Sequence, residues 1–335
     1  MLVRRSLSLD TLAHHMSGES VLDGVSPWVS RVRALSKALS LLENDPWLAT
    51  QFLQHPALVR LQSKARVIGL TGLPGAGKST LTNLLVSRLR KLGKSVAVLA
   101  VDPSSGETGG AVLGDRIRMQ EHFCDEKVFI RSMGSRGALG GVSRATRGAI
   151  RLIGLLGYDY ILVETVGIGQ SESEIVSIAD TTALVLMPNS GDDVQLMKAG
   201  VLQMADVYVV NKCDLSNPQR MISELKSNAD ARGGSGWVPP VLPTSAIELQ
   251  GIEELVDAFL NHASYEEAHP DGRSVKRKRV LAEIATNLIF ILEREVQKMV
   301  ETIPDSEINA VQEGTLPAMV TANRLFANNF QVKES

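Results

Sequence analysis

Cysteine is nearly absent from this 335-residue chain, and what there is forms no pattern. Cys124 and Cys213 make neither a disulfide framework nor a metal-ligand spacing, which suits a reducing compartment. The six histidines are scattered, with His14 and His15 the only adjacent pair, so no zinc site is expected. An excess of charge of one sign is missing too. Lys and Arg number 35 against 37 Asp and Glu, and a formal net charge of -2 gives no reason to expect nucleic acid or an anionic membrane as partner. No apolar run reaches the length of a membrane span, and no secretory signal stands out. "MLVRRSLSLDTLAHHM" has arginines, serines and a single acid, Asp10, which an organelle leader would share. A plain soluble N-terminus is preferred, hence a cytoplasmic location, or the mitochondrial matrix if the source is eukaryotic. Internal repeats and low-complexity segments are absent as well. What remains, 44% hydrophobic and 21% charged residues, is an ordinary globular composition with room for a sizeable core.

Three parts are expected. Residues 1–64 read as helical, with Ser26 and Pro27 as cap and first-turn pair and Val32, Leu35, Leu39 and Leu42 on one face. Residues 65–263 alternate apolar strand-like runs ("VIGL", "VAVLAV", "KVFI", "YILVE", "ALVLMP", "VYVVN", "PVLPT") with helical ones. That alternation predicts an α/β fold, a doubly wound, mostly parallel sheet with nucleotide at the carboxyl ends of its strands. Residues 264–335 read as a helical extension. Its stripe Leu281, Leu288, Ile284 and Ile291 would pack on its own domain or form a subunit interface, and "RSVKRKR" just before it reads as a solvated helix start.

"GLTGLPGAGKST", residues 69–80, carries the first chemistry. Gly72, Gly77, Lys78 and Ser79 fit G-x-x-x-x-G-K-[ST], between a buried strand and a leucine-rich helix ending near Gly93. The loop through Pro74, Gly75, Ala76 and Thr80 would curl its N-H groups round phosphate oxygens. Lys78 would reach the β- and γ-phosphates, and Ser79 would ligate Mg²⁺. "VYVVNKCDL" then selects the base. Asn211, Lys212 and Asp214 form N-K-x-D, whose carboxylate accepts from both the ring N-H and the amine of guanine, a donor pair that adenine lacks. Ser245 and Ala246 resemble the loop that completes guanine binding in G proteins. "ILVETVG" resembles their D-x-x-G, with Glu164 for aspartate and Gly167 offering its N-H to the γ-phosphate. Ras-like proteins carry a water-orienting glutamine directly after that glycine. Here the position is Ile168 and the nearest glutamine is Gln170, so slow intrinsic hydrolysis is expected.

"VLAVDPSSGETGGAVLGDRIRM", "GALGGVSRATR", "ILVETVGIGQSE" and "GDDVQLMKAG" follow in this order. Together they resemble the MeaB-type G-protein chaperones of adenosylcobalamin-dependent acyl-CoA mutases over roughly residues 65–263. That family takes in methylmalonic aciduria type A proteins and members once labelled ArgK-type transport kinases. The resemblance implies a GTPase that cycles between GTP and GDP with Mg²⁺, gates cofactor loading, protection or reactivation of a mutase, and is accelerated by that partner. It implies magnesium and first-switch roles for Asp102 and Asp115. The alternatives are a helix N-cap beside Pro103 for Asp102 and a solvated loop carboxylate for Asp115. It implies a third switch with functional positions Gln195 and Lys198. Because no arginine finger is evident in the sequence, a docking partner would push Lys198 toward the phosphates to supply the missing charge; a surface lysine is the alternative. A homodimer through the helical C-terminal arm is also implied, with only the Leu281 to Ile291 stripe to support it. An ATP-fed kinase would need an acceptor pocket and base that the sequence does not offer. A nickel- or zinc-inserting GTPase would need a histidine-rich tract or a cysteine cluster.

Overall fold

The apolar runs become strands because most are apolar on both faces, and a sheet covered on both sides buries such a run. The computed structural model describes residues 8–102, 119–134, 141–165, 171–188, 201–232 and 236–329. Its strands are β1 (Arg66–Gly72), β2 (Val96–Asp102), β3 (Val128–Gly134), β4 (Tyr160–Thr165), β5 (Thr181–Leu186), β6 (Val207–Val210) and β7 (Val241–Pro243). They form one sheet in the order β3-β2-β4-β1-β5-β6-β7, and every pairing is parallel. The doubly wound sheet expected from the sequence is therefore the observed one.

Helices cover both faces. α1 (Leu9–Ser17), α2 (Pro27–Asn44), α3 (Pro46–Leu53) and α4 (Pro56–Val59) precede the sheet, and α5 (Lys78–Lys91) follows β1. Further along come α6 (Gly141–Leu155), α7 (Ser171–Ile178), α8 (Gln219–Arg232) and α9 (Ile252–Ala268). Strand alternation sorts the core: on β4, Ile161 and Val163 pack with α1, α2 and α6, while Leu162 packs with α5 and α9. On β5 and β6, Leu184, Leu186, Tyr208 and Val210 pack with α8. The N-terminal helices thus share a core with the sheet. Ser26 caps α2 by accepting from the Val29 N-H at 3.3 Å, and Leu35 and Leu39 are fully buried.

The chain divides into two compact units, Met1–Arg279 and Val280–Ser335. α10 (Pro270–Glu301) begins in the first, so "RSVKRKR" lies inside a helix. In the second unit, α11 (Asp305–Gln312) and α12 (Ala318–Asn329) surround an apolar cavity of about 530 Å³ lined by Val296, Met299, Ile303, Ile308 and Phe326. The stripe Leu281, Ile284, Leu288 and Ile291 is 40% to 57% exposed, so these residues are not buried in a core of their own.

Because all strands run the same way, the segments leaving β1, β2, β4, β5, β6 and β7 gather at one edge of the sheet. β1 is its central strand, and the glycine loop leaves from there.

Candidate functional site

β1 turns away at Gly72, whose φ is 136°, and a Cβ there would lie 2.0 Å from the Val185 carbonyl oxygen on β5. Only glycine permits so close an approach of two backbones. Gly75 and Gly77 follow with φ of 77° and 90°, and Gly77 starts α5 without a side-chain cap. The first N-H groups of α5 are thereby left for a ligand, at the positive end of its dipole. Pro74, Gly75 and Thr80 are exposed, whereas Ala76 is buried. Lys78 is only 6% exposed, and its ammonium donates to the carbonyls of Gly72 at 2.7 Å and Leu73 at 2.9 Å. A positive charge is thus held inside the loop itself.

On β4, Glu164 has the same parity as Leu162 and so faces α5. The Ser79 hydroxyl donates to its Oε1 at 2.6 Å, and the Thr82 hydroxyl lies 3.0 Å from its Oε2. Glu164 is 2% exposed. A buried carboxylate against the motif serine is a set of hard oxygen donors, and Mg²⁺ is held through one or two such groups, with water and phosphate completing its shell. Ser79 and Glu164 therefore fit that ion.

At the other end of the edge, Asn211 does not face outward. Its amide donates to the Ala76 carbonyl at 2.8 Å, and its Oδ1 accepts from the Thr244 hydroxyl at 3.1 Å. The asparagine thus ties β6 and β7 to the glycine loop. Lys212 takes a left-handed φ of 61°, which turns the chain so that Asp214 meets the next loop. There the Ser245 hydroxyl donates to Asp214 Oδ1 at 2.7 Å, and the Glu248 N-H donates back to Ser245 Oγ at 3.2 Å. A bridge between Ser245 and Gln250 closes this loop, and Ala246 packs on the core beneath it. The second oxygen of an exposed, oriented carboxylate is suited to a paired hydrogen-bond donor. Cys213 plays a different part: its thiol, pushed up by burial, donates to the Val210 carbonyl at 3.0 Å and reads as structural.

The structure thus brings Gly72, Gly77, Lys78, Ser79 and Glu164 together, and joins Asn211, Asp214 and Ser245 at the same edge. Asp102 ends β2 opposite Gly134, with only its backbone described. Asp115, Gly167, Gln170, Gln195 and Lys198 lie outside the described residues. Sequence reading missed Thr82. The available signal was a hydroxyl three residues after Ser79, on one face of an otherwise leucine-rich helix.

Folding also brings together histidines that are far apart in sequence. Asp10, His14 and His55 place one potential ligand atom each within 4.8 Å of one another. Each of the three already has hydrogen-bond partners, and His14 Nε2 also faces Glu19 Oε2 at 3.2 Å. His14 Nδ1 donates to the Asp10 carbonyl at 2.8 Å, which can only accept. His55 Nδ1 accepts from the Ala57 N-H at 3.2 Å, which puts its proton on Nε2, 3.2 Å from Asp10 Oδ1. The geometry is that of a hydrogen-bonded tie between α1 and α4.

Comparison with known proteins accords with this geometry. The family model for methylmalonyl-CoA mutase-associated GTPase MeaB matches residues 35–302. A Pyrococcus abyssi protein named as a GTPase is 43% identical over 273 residues, 80% of this chain and 84% of its own length. GTPase ArgK of Escherichia coli is 39% identical over 236 residues, 68% of this chain and 71% of its own. The crystal structure of a LAO/AO transport system kinase matches with a TM-score of 0.62 at 26% identity, covering 97% of this chain and 98% of that one. No helix among the described residues is long and apolar enough to cross a membrane. With a glycine loop and the Asn211–Asp214 and Ser245 loops at one edge of a parallel sheet, and a family match spanning most of its length, this chain belongs to the MeaB family of methylmalonyl-CoA mutase-associated GTPases.

Proposed function

We propose that this GTPase is a chaperone whose nucleotide state gates cofactor loading, protection or reactivation of an adenosylcobalamin-dependent acyl-CoA mutase. The observation that carries the nucleotide half is the Ser245-oriented Asp214 carboxylate, joined through Asn211 to the glycine loop. The mutase half rests on the family, whose model is named for association with methylmalonyl-CoA mutase.

In this mechanism Asp214 accepts the two guanine hydrogens while Ala246 completes the base loop. Lys78 exchanges its loop carbonyls for phosphate oxygens, so its charge meets the β- and γ-phosphates as the nucleotide enters. Ser79 and Glu164, with Asp102 and Asp115, would hold Mg²⁺, which would neutralise the charge that develops on the phosphates. Gly167 donates its N-H to the γ-phosphate and thereby links GTP to the second switch. Ile168 stands where a water-orienting glutamine would be, and turnover is slow until a partner docks. Docking moves the third switch, Gln195 to Lys198, and Lys198 then adds charge at the phosphates, with Gln170 in the neighbouring switch.

The test is hydrolysis of GTP and ATP by the purified protein, each with and without a purified cobalamin-dependent mutase from the same organism. Slow GTP turnover that rises with mutase, and little use of ATP, is expected. Equal use of ATP would return the kinase reading. Mutase activation that survives intact in Lys198→Ala would remove Lys198 from the mechanism.

A further inference from the structure

Thr82 is completely buried, one turn of α5 beyond Ser79 and beside Leu81 and Leu85. Valine would fill the same space without a polar atom to satisfy, so packing does not account for its hydroxyl. Two acceptors face that hydroxyl: the Lys78 carbonyl at 2.9 Å and Glu164 Oε2 at 3.0 Å. A hydroxyl has one proton and can donate it fully to only one of them at a time. The Lys78 contact is the i-4 back-bond that any helical threonine makes. The Glu164 contact is different, because it bridges from α5 to β4 and grips the oxygen that Ser79 does not reach.

We propose that Thr82 is a positioning residue for Glu164, holding Oε2 so that the carboxylate stays beside Ser79 when the serine hydroxyl turns to the magnesium ion of the nucleotide. The inference rests on the magnesium role proposed for Glu164. The back-bond gives Thr82 a second resting place, so its proton is never left unpaired while the carboxylate adjusts. Ser79 and Thr82 then divide the labour, one as ligand and the other as the group that aims the second ligand.

The test uses the full chain and a fluorescent, non-hydrolysable GTP analogue, with affinity measured in EDTA and across a Mg²⁺ titration. Wild type is compared with Thr82→Val, Thr82→Ser and Glu164→Gln. Thr82→Val is expected to bind the analogue in EDTA as wild type does but to need roughly 10- to 100-fold more Mg²⁺ for half-maximal tightening, the usual scale for losing a group that orients a metal ligand. Thr82→Ser, which keeps the hydroxyl, should restore the midpoint. Three results would overturn the inference with Glu164 still in its role: a Thr82→Val midpoint like wild type while Glu164→Gln is shifted, weakened binding of Thr82→Val in EDTA, or no recovery in Thr82→Ser. A Glu164→Gln midpoint equal to wild type would remove the magnesium role itself and the inference with it.

Discussion

Asp214 is exposed, yet its orientation is not free, because Ser245 donates to one of its oxygens at 2.7 Å and is itself fixed by the Glu248 N-H. An aspartate held this way discriminates by what the base offers. In the proposed base recognition guanine presents two hydrogens to it, and hydrogen bonds to a charged group contribute about 1.5–3 kcal/mol each. Asp214→Asn is therefore expected to weaken GTP binding by more than about 100-fold, a loss of roughly 3 kcal/mol. Xanthine carries a carbonyl where guanine has its amine, so the same variant should gain affinity for XTP. Titration of both nucleotides against wild type and variant checks this, and an unchanged GTP affinity would take Asp214 out of base recognition.

At the level of elements, β1 contains two glycines that tolerate a methyl group differently. At Gly69 a Cβ would meet Ile175 Cγ1 at 2.8 Å and Ala179 Cβ at 3.0 Å. The Ile175 side chain and α7 can shift, so Gly69→Ala is expected to cost about 1–3 kcal/mol, as overpacking does. At Gly72 the obstacle is the Val185 backbone at 2.0 Å with φ already at 136°, and β5 cannot yield without breaking its pairing. Gly72→Ala should lose more stability than Gly69→Ala in urea unfolding, and lose nucleotide binding besides. The joint between β5 and α9 makes a second prediction. His262 is buried with Nδ1 2.8 Å from the Thr181 hydroxyl and Nε2 3.5 Å from Asp206 Oδ1; burial first, then the charges of Arg279 and Arg66, outweigh that carboxylate and lower its pKa to about 4. Above the unfolded value near 6.5 neither state binds this proton, and its contribution to stability is fully present. Between about pH 6.5 and 4 the unfolded chain takes up a proton that the folded chain refuses, so stability falls as pH falls, by up to about 3 kcal/mol from this residue. Unfolding measured at pH 7 and pH 4.5 should show a smaller loss in His262→Gln than in wild type; equal losses would mean that His262 titrates normally in the fold.

For the molecule as a whole, the question is what covers the apolar stripe of α10. Leu281, Ile284 and Leu288 are each more than half exposed, and a homodimer is the occupant that the family resemblance implies. Leu288→Glu would place a charge in that stripe. Sedimentation velocity is expected to show a dimer for wild type and a monomer for the variant, with GTP affinity unchanged because the nucleotide loops belong to the other compact unit. A wild-type monomer at micromolar concentration would end the dimer proposal.

Strand identity and the phosphate and guanine motifs were readable along the chain, for a shared reason. A strand buried on both faces must be continuously apolar, and a backbone cradle for phosphate needs glycine, lysine and serine at consecutive positions. Both are local demands, written in neighbouring residues. Sequence did not show that β4 lies between β2 and β1, that Asn211 reaches back to Ala76, or that His14 and His55 share Asp10. Nor did it show Thr82 against Glu164, 82 residues apart. Such pairs leave no periodicity behind, since nothing in the spacing of either partner along the chain constrains the other. What the sequence determined by itself was which segments are strands and where the glycine loop of the phosphate motif lies. Tertiary structure alone decided which side chains meet at the sheet edge, because strand order and the parallel register bring distant strand ends together there.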